Sequence, residues 1–207
     1  MLVAYDAAVR IAIDIDSTLH HYWGQLEVVA RRRFGVELPY ADQHTWGIER
    51  LTPAQLAECI AETHGPELVS SAEPYPGATD VIRGWRERGG HTIHVASHRA
   101  PQAHDRTADW LGRIGLPFDE LRCDYGKVDW AAGAGIGLLV DDSPVNLLAA
   151  REAGMAAATL LHPWNAELCA REGIASAAGW PALGDALRPL LGEWRLDARA
   201  DDNLGGG

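Results

Sequence analysis

The sequence predicts an α/β fold, in which a doubly wound parallel sheet carries a small helical insertion after the first strand. Short apolar segments alternate along the chain with amphipathic helices of about ten to fifteen residues, which is the pattern of right-handed crossovers in a parallel sheet. Acidic, basic or hydroxyl side chains follow several of these apolar segments. Because ligands bind beyond the carboxyl ends of the strands in such sheets, this placement predicts a functional site at that edge.

The first predicted strand begins at Arg10 and ends on two aspartates, Asp14 and Asp16. Residues two apart in an extended chain point to the same side, so both carboxylates leave the strand towards one small volume. Two like charges at that separation repel unless a cation lies between them, and a hard divalent cation such as Mg²⁺ is the usual solution. The alternative is a strand that simply ends in an acidic loop.

The segment over residues 20–73 shows no strong strand signal and is predicted to form the small helical insertion. Apolar side chains at helical spacing predict a first helix over residues 25–34. A second helix is predicted to begin with Thr52 as its N-cap and Pro53 in its first turn. The proline-rich and glycine-containing turn at residues 74–77 marks the return to the main domain.

The main domain is predicted to comprise residues 1–19 and 74–175, followed by a C-terminal segment over residues 176–207. That segment contains one helix over 181–191 and an acidic, glycine-rich tail that is expected to be disordered. Strands and helices alternate in the main domain. The predicted strands span residues 91–96, 118–123, 136–140 and 156–161, and the predicted helices span 78–88, 107–114 and 144–153.

Composition excludes several classes of partner. The net charge of −11 argues against duplex nucleic acid, because affinity for a phosphate backbone comes mainly from clustered Lys and Arg. No apolar run has the length needed to cross a bilayer, and the N-terminus lacks the basic start of a signal peptide. We therefore expect a cytoplasmic protein without a membrane partner. The oligomeric state is left open.

Cysteine and histidine spacing predicts neither a disulfide framework nor a zinc site. The three cysteines, Cys59, Cys123 and Cys169, are odd in number, far apart and without a metal-like pair, so they are expected to be buried or incidental thiols. His91 and His94 are three apart on a predicted strand and would face opposite sides of the sheet.

Four polar features at strand ends, taken together in chain order, resemble the haloacid dehalogenase superfamily of aspartate-nucleophile phosphatases. The resemblance covers residues 10 to about 165, and its first motif is Asp-x-Asp-x-Thr followed by an apolar residue. The matching residues are Asp14, Asp16, Thr18 and Leu19 in the first motif, Ser97 in the second, Lys127 in the third, and Asp141 with Asp142 in the fourth.

The resemblance implies a role for each matching residue. Asp14 would be the nucleophile that forms an aspartyl-phosphate, which splits one difficult displacement into two easier steps. Asp16 would protonate the leaving group and then activate water, an effect worth roughly 10² to 10⁴ in rate. Ser97 and Lys127, together with His98 after the second motif, would hold the phosphate oxygens.

The implied cofactor is Mg²⁺, bound by a carboxylate oxygen of Asp14, the backbone carbonyl of Asp16 and one residue of the acidic pair. In the commoner Gly-Asp form of the fourth motif, Asp142 takes the ligand position and Asp141 replaces the glycine. We therefore expect Asp142 to be the direct ligand, and whether Asp141 also contacts the metal stays open.

Two further positions qualify the resemblance. Ser17 stands where the family commonly has glycine, which alters the loop without removing a catalytic group. Arg99 lies within reach of a bound phosphate, but a surface role is expected for it.

A receiver domain also combines acidic residues, Ser or Thr and Lys on this type of fold, although its acidic pair follows the first strand, whereas here the pair comes last.

The insertion falls where the superfamily places its first type of cap. Its small size and the His-Pro-Trp-Asn segment at residues 162–165 are similar to the 5′(3′)-deoxyribonucleotidase-like branch, which implies a nucleoside monophosphate substrate. The alternatives left open are sugar phosphates or other phosphometabolites, a phosphorylated macromolecule, and a non-catalytic module that binds Mg²⁺ or phosphate. The residues that would close over a base, or otherwise form the core of the insertion, are His21, Tyr22, Trp23 and Trp46.

Overall fold

The computed structural model describes residues 8–124 and 126–194 and confirms the predicted doubly wound parallel sheet. Six parallel strands lie in the order β3-β2-β1-β4-β5-β6, which places the first strand in the middle of the sheet. The strands are β1 (Arg10–Ile13), β2 (Thr92–Ser97), β3 (Glu120–Cys123), β4 (Leu138–Val140), β5 (Ala156–Leu160) and β6 (Ala175–Ala177).

Helices precede, connect and follow these strands. In the described part of the chain they are α1 (Tyr22–Phe34), α2 (Pro53–Thr63), α3 (Pro66–Ser71), α4 (Ala78–Gly89), α5 (His104–Arg113), α6 (Lys127–Gly133), α7 (Pro144–Glu152), α8 (Ala166–Glu172), α9 (Trp180–Ala186) and α10 (Arg188–Leu191). None of the described helices is long and apolar enough to cross a bilayer.

Side-chain alternation along β1 shows how the sheet is covered on both faces. Ile11 and Ile13 belong to a buried cluster that includes residues of α4, α5 and α9. Ala12 points the other way, into a cluster with residues of α6, α7 and α8. Strands buried on both faces read as continuous apolar runs, which is why β1 and β4 are recognisable in the sequence as strands of a parallel sheet.

The insertion leaves and rejoins the main domain at adjacent points. His20 and Pro74 form an isolated antiparallel bridge, and the Tyr75 amide donates to the Leu19 carbonyl at 2.7 Å. Between these points α1, α2 and α3 share an apolar cluster of their own, which Trp164 of the main domain joins. The insertion therefore packs onto the carboxyl edge of the sheet through a residue that follows β5.

The predicted start of α2 is confirmed in atomic detail. The Thr52 hydroxyl accepts a hydrogen bond from the Gln55 amide at 3.3 Å, and the Gln55 side chain accepts one from the Thr52 amide at 3.0 Å. This reciprocal pair satisfies two amides that a helix start leaves without partners. α2 ends at Thr63, and Pro66 opens α3, because proline suits a first helical turn.

The C-terminal region differs from the prediction in two respects. Residues 175–177 form β6, so the sheet extends beyond the predicted boundary at residue 175. The predicted single helix over 181–191 is two helices that meet at Leu187. The predicted disordered tail lies outside the described residues. All three cysteines are buried free thiols, as expected.

Candidate active site

Three carboxylates meet where β1 and β4 end side by side. The Asp14 amide continues the pairing of these strands by donating to the Val140 carbonyl at 2.9 Å. Asp14, Asp141 and Asp142 are buried, and each offers a carboxylate oxygen that lies within 4.8 Å of those of the other two. The apolar strands that precede them thus deliver all three acidic side chains to one volume.

Lys127 supplies positive charge to this group from the first residue of α6. Its Nζ lies 2.6 Å from Asp14 Oδ1 and 2.6 Å from Asp141 Oδ2. Burial alone would lower the pKa of Lys127, but the two carboxylates raise it above its ordinary value. Lys127 therefore stays positively charged at neutral pH.

Asp141 and Asp142 are adjacent but differ in what they contact. The Asp141 carboxylate accepts hydrogen bonds from the Ser143 amide at 2.9 Å and from Asn146 Nδ2 at 3.1 Å. No donor among the described residues reaches the Asp142 carboxylate, although its backbone carbonyl accepts from Trp164 Nε1 at 3.1 Å. The carboxylate oxygens of Asp142 are thus free to coordinate a metal ion. This supports Asp142 as the direct ligand, and the assignment stays a prediction.

Asp16 is enclosed by donors from three parts of the chain. Arg99 grips both oxygens, with Nη2 2.6 Å from Oδ1 and Nε 3.2 Å from Oδ2. His20 Nε2 lies 3.0 Å from Oδ1, and His64 Nε2 from the end of α2 lies 3.2 Å from Oδ2. The carboxylate of Asp16 is thus held in one orientation by up to four hydrogen bonds.

The expectation that Arg99 has a surface role is wrong. Its side chain is only 1% exposed. Besides gripping Asp16, its guanidinium donates to the Thr107 hydroxyl at 3.3 Å and lies 5.9 Å from the centre of the Trp110 ring. A buried arginine is tolerated here because the Asp16 carboxylate offers two oxygens that match the geometry of the guanidinium.

The surroundings give Asp14 and Asp16 different acidities. Burial raises the pKa of Asp14 to about 7, and the Lys127 ammonium opposes this rise without cancelling it. Burial alone would also raise the pKa of Asp16, but the Arg99 guanidinium and the hydrogen bonds from His20 and His64 hold it well below its ordinary range. Asp16 is therefore ionised at neutral pH in this arrangement.

A segment after β5 supports the turn that follows Asp16. Ser17 adopts a left-handed backbone conformation with φ 62°. Its carbonyl is 2.8 Å from His162 Nε2, so that nitrogen carries the proton, and His162 Nδ1 accepts from the Tyr40 hydroxyl at 2.7 Å. The ring of His162 stacks on Trp164, with ring centres 4.5 Å apart.

Ser97 and His98 occupy different positions relative to the site. Ser97 ends β2 and is buried, and its hydroxyl oxygen lies 3.2 Å from the backbone amide of Arg99, which donates to it. It is not among the described residues that line the cavity, whereas His98 is. The phosphate-binding roles of both residues stay predictions.

A cavity of about 450 Å³ opens above these groups. Its inner end is formed by Asp14, Asp16, Lys127 and the acidic pair, and the insertion forms the outer wall. Of the four predicted cap residues, Tyr22, Trp23 and Trp46 line the cavity. His21 has another role, since it caps α1 by accepting a hydrogen bond from the Gly24 amide at 2.9 Å.

Sequence reasoning missed His20, His64 and Asn146. His20 follows the first motif directly, and Asn146 lies four residues after the acidic pair, so both could have been sought by proximity to a motif. His64 gives no such signal, because it caps the end of a helix in the insertion and reaches Asp16 only through the fold.

The fold of the chain is the one found in solved haloacid dehalogenase-like hydrolases. A haloacid dehalogenase-like hydrolase from Streptococcus pneumoniae is similar with a TM-score of 0.61 and 14% identity, covering 84% of this chain and 95% of its own. A haloacid dehalogenase family hydrolase from Deinococcus radiodurans, solved with bound phosphate and sodium, has a TM-score of 0.61 and 17% identity over 87% of this chain and 95% of its own.

A third structure, a haloacid dehalogenase-superfamily hydrolase of subfamily IA from Geobacter sulfurreducens, has a TM-score of 0.58 and 16% identity over 86% of this chain and 99% of its own. No protein-family model matches the sequence, and no curated protein matches it significantly. At these identities the likeness establishes the fold of the chain.

Proposed function

We propose that the protein is a phosphomonoester hydrolase that uses Asp14 as its nucleophile and acts on a nucleoside monophosphate. The observation that carries the proposal is the Asp14 carboxylate at the inner end of the cavity, 2.6 Å from the Lys127 ammonium and beside the buried acidic pair. Phosphate esters need an oriented nucleophile and charge stabilisation more than any other assistance, and these groups supply both.

The charges at the site fit a divalent cation. Asp14, Asp141 and Asp142 contribute three negative charges when ionised, and Lys127 contributes one positive charge, which leaves a surplus of two negative charges in a buried volume. Buried uncompensated charge is costly, and hard oxygen ligands suit Mg²⁺. Asp14, Asp142 and the Asp16 carbonyl would hold the ion. When bound, Mg²⁺ would neutralise charge on the transferring phosphoryl group.

The reaction would proceed in two steps on this chain's own residues. In the first, a carboxylate oxygen of Asp14 attacks phosphorus while Lys127 contacts the phosphoryl oxygens, and the leaving alkoxide takes a proton from Asp16. In the second, Asp16 takes a proton from the water that hydrolyses the aspartyl-phosphate, and Asp14 is regenerated.

The low pKa of Asp16 suits the second step directly. For the first step, an entering phosphate dianion adds negative charge near Asp16, and a like charge raises the pKa of a carboxyl group. The Arg99 guanidinium opposes this rise, because it stabilises the ionised form of Asp16. Asp16 is thus a strong candidate for the base, and its action as an acid depends on bound substrate.

A nucleoside monophosphate fits the cavity in size and in the character of its wall. A volume of about 450 Å³ lies within the range of roughly 300 to 1,000 Å³ that accommodates ligands of this size. Trp23 and Trp46 lie with ring centres 5.5 Å and 6.2 Å from that of Trp164. Aromatic faces of this kind stack on nucleobases.

The test is hydrolysis of para-nitrophenyl phosphate and of a panel of nucleotides and sugar phosphates by the purified protein with Mg²⁺. We expect turnover with the nucleotides among the better substrates, and loss of at least about 10⁴-fold in kcat in Asp14→Asn, with Mg²⁺ binding retained. The matched control is Asp105→Asn, whose side chain is fully exposed. Absence of turnover on the whole panel, or an active Asp14→Asn variant, would contradict the proposal.

A further inference from the structure

The outer wall of the cavity is mainly apolar, whereas its inner end carries the charged side chains. We call it the leaving-group wall and define it by Trp23, Leu26, Trp46, Ile48, Leu56 and Ile60. None of these side chains is ionisable, and all come from the insertion. Trp46 is 46% exposed and Ile60 is 36% exposed, so part of this apolar surface is open to an entering ligand.

The cations near the cavity are already engaged at its inner end. Lys127 is held between Asp14 and Asp141. Arg99 is buried against Asp16 and is not among the described residues that line the cavity. A second anionic group on a ligand would therefore face the leaving-group wall without a cationic partner from these side chains.

The two histidines that line the cavity do not supply a cationic partner at the leaving-group wall. His64 lies 3.2 Å from the Asp16 carboxylate and is oriented by it. Burial lowers the pKa of His98, and the neighbouring Lys127 lowers it further, which favours the neutral imidazole. Both lie towards the inner end of the cavity, where the transferring phosphoryl group would bind.

We propose that the leaving-group wall selects phosphate monoesters whose leaving group is uncharged and carries a flat aromatic or heteroaromatic ring. The inference rests on the proposed function and names the substrate class of the same site. An anion buried against apolar side chains loses its hydration without compensation, whereas a flat ring buries apolar area and stacks on Trp46. Esters with a second phosphate or a carboxylate are selected against.

The first test compares two substrates that share the phosphate and differ in the leaving group. We expect kcat/KM for 1-naphthylmethyl phosphate, which like phosphoglycolate has an alkoxide leaving group, to exceed that for phosphoglycolate by about 100-fold or more, since one unpaired buried charge or one lost stacking contact each accounts for about tenfold or more. Equal values, or a preference for phosphoglycolate, would overturn the proposal.

A binding measurement separates this inference from the proposed function. Calorimetry with 1-naphthylmethylphosphonate and with 3-phosphonopropionate reports on the wall without requiring hydrolysis. Tighter binding of the naphthyl compound supports the inference even if no ester is turned over, in which case the proposed function fails alone. Equal or tighter binding of the carboxylate compound overturns the inference even if the enzyme is active.

Variants of the wall provide the sharpest evidence. Ile60→Lys places a cation on the wall and should lower kcat/KM for 1-naphthylmethyl phosphate while raising that for phosphoglycolate, which shifts their ratio by about tenfold or more. Val28→Lys is the matched control, because Val28 is 52% exposed on α1 and is not among the residues lining the cavity. An unchanged ratio in Ile60→Lys, with the fold intact by thermal unfolding, would overturn the proposal.

Trp46→Ala tests the ring contact separately from charge. We expect KM for 1-naphthylmethyl phosphate to rise by about tenfold with kcat little changed, because stacking holds substrate and transition state alike. The KM for phosphoglycolate should change by much less. A Trp46→Ala variant that weakens both substrates equally would show that Trp46 shapes the insertion and does not select the ring, which contradicts the proposal.

Discussion

Asp14 and Asp16 leave the same strand end two residues apart, and their surroundings drive their acidities in opposite directions. Asp14 is paired with one ammonium and lies among further carboxylates, and its pKa is raised to about 7. Asp16 is paired with a guanidinium and two imidazoles, and its pKa is lowered well below the ordinary range. Burial acts on both in the same sense, so the neighbours make the difference.

One short motif thus holds two carboxyl groups of different acidity. The carboxylates beside Asp14 follow β4 and its ammonium partner begins α6, whereas the partners of Asp16 come from the loop after β2 and from the insertion. Asp14 lies among other carboxylates and can bind a cation together with them. Asp16 is held by hydrogen-bond donors, so it keeps its negative charge and its orientation. Different parts of the chain therefore set the acidities of the two aspartates.

The largest expected effect in this comparison follows removal of the Asp16 charge. Asp16→Asn should lower steady-state kcat by roughly 10² to 10⁴, because the base for the second step is lost. With para-nitrophenyl phosphate, whose leaving group needs little protonation, the first step should survive. Rapid-mixing measurements should then show a burst of about one nitrophenolate per enzyme.

Asp14→Asn is the control for that experiment, since a protein without its nucleophile cannot produce a burst. A slow Asp16→Asn variant without a burst would show that Asp16 is required in the first step. The acid role would then outweigh the base role, despite the low pKa of this carboxyl group.

Removal of the Arg99 charge should make Asp16 resemble an ordinary buried carboxyl group. Arg99→Met leaves Asp16 with the two histidines, so its pKa should rise towards that of Asp14, and the acid limb of the kcat–pH profile, which ionisation of Asp14 sets in the wild type, should become steeper. The free energy of unfolding should fall by about 3 kcal/mol, because a buried pair has lost one partner. Chemical denaturation and a pH–rate series test these expectations.

Arg171→Met serves as the comparison for Arg99→Met, because the Arg171 side chain is 59% exposed. It should change neither the profile nor the stability by a measurable amount. An acid limb of unchanged steepness in Arg99→Met would show that the pKa of Asp16 does not depend on the Arg99 guanidinium.

The surroundings of Asp14 are easier to predict from the sequence than those of Asp16. β1 and β4 are continuous apolar runs that end on aspartates, so the acidic cluster is recognisable from local pattern and from the family resemblance. Arg99 was assigned to the surface because arginine is seldom fully buried unless it is paired. Its partner Asp16 is 83 positions away, and no local pattern connects the two.

The same limit applies to smaller elements of the fold. β6 is the tripeptide Ala-Ser-Ala, which carries neither apolar alternation nor β-branched side chains, and it forms a strand because β5 offers it an edge. His64 reaches Asp16 because the insertion folds back over β1. Tertiary contacts of this kind are decided by packing, and propensity does not reveal them.

His64→Gln should have a smaller effect than the loss of Arg99. The amide can still donate one hydrogen bond to Asp16, and the guanidinium remains in place, so kcat/KM should fall by less than about tenfold and the acid limb should become only slightly steeper. A matched change at an exposed position, His104→Gln, should have no effect. A loss comparable to that of Asp16→Asn would instead make His64 a direct participant in proton transfer.

The effect expected at the turn after Asp16 is on stability, as a pH dependence. His162 is neutral in the folded protein because burial lowers its pKa from 6.5 to about 4. Between these pH values the unfolded chain binds a proton that the folded chain does not, so stability falls as pH falls. The contribution from pH 7 to pH 5 is about 2 kcal/mol.

Denaturant unfolding at pH 7 and pH 5 measures this contribution by difference. His162→Gln removes the titrating group, so the free energy of unfolding of the wild type should fall by about 2 kcal/mol more than that of the variant over this interval. The wild type should be the more stable protein at pH 7, since the variant loses part of the link between the Ser17 carbonyl and Tyr40. Parallel pH dependences in the two proteins would show that His162 carries no such shift, and that the turn after Asp16 is held by other contacts.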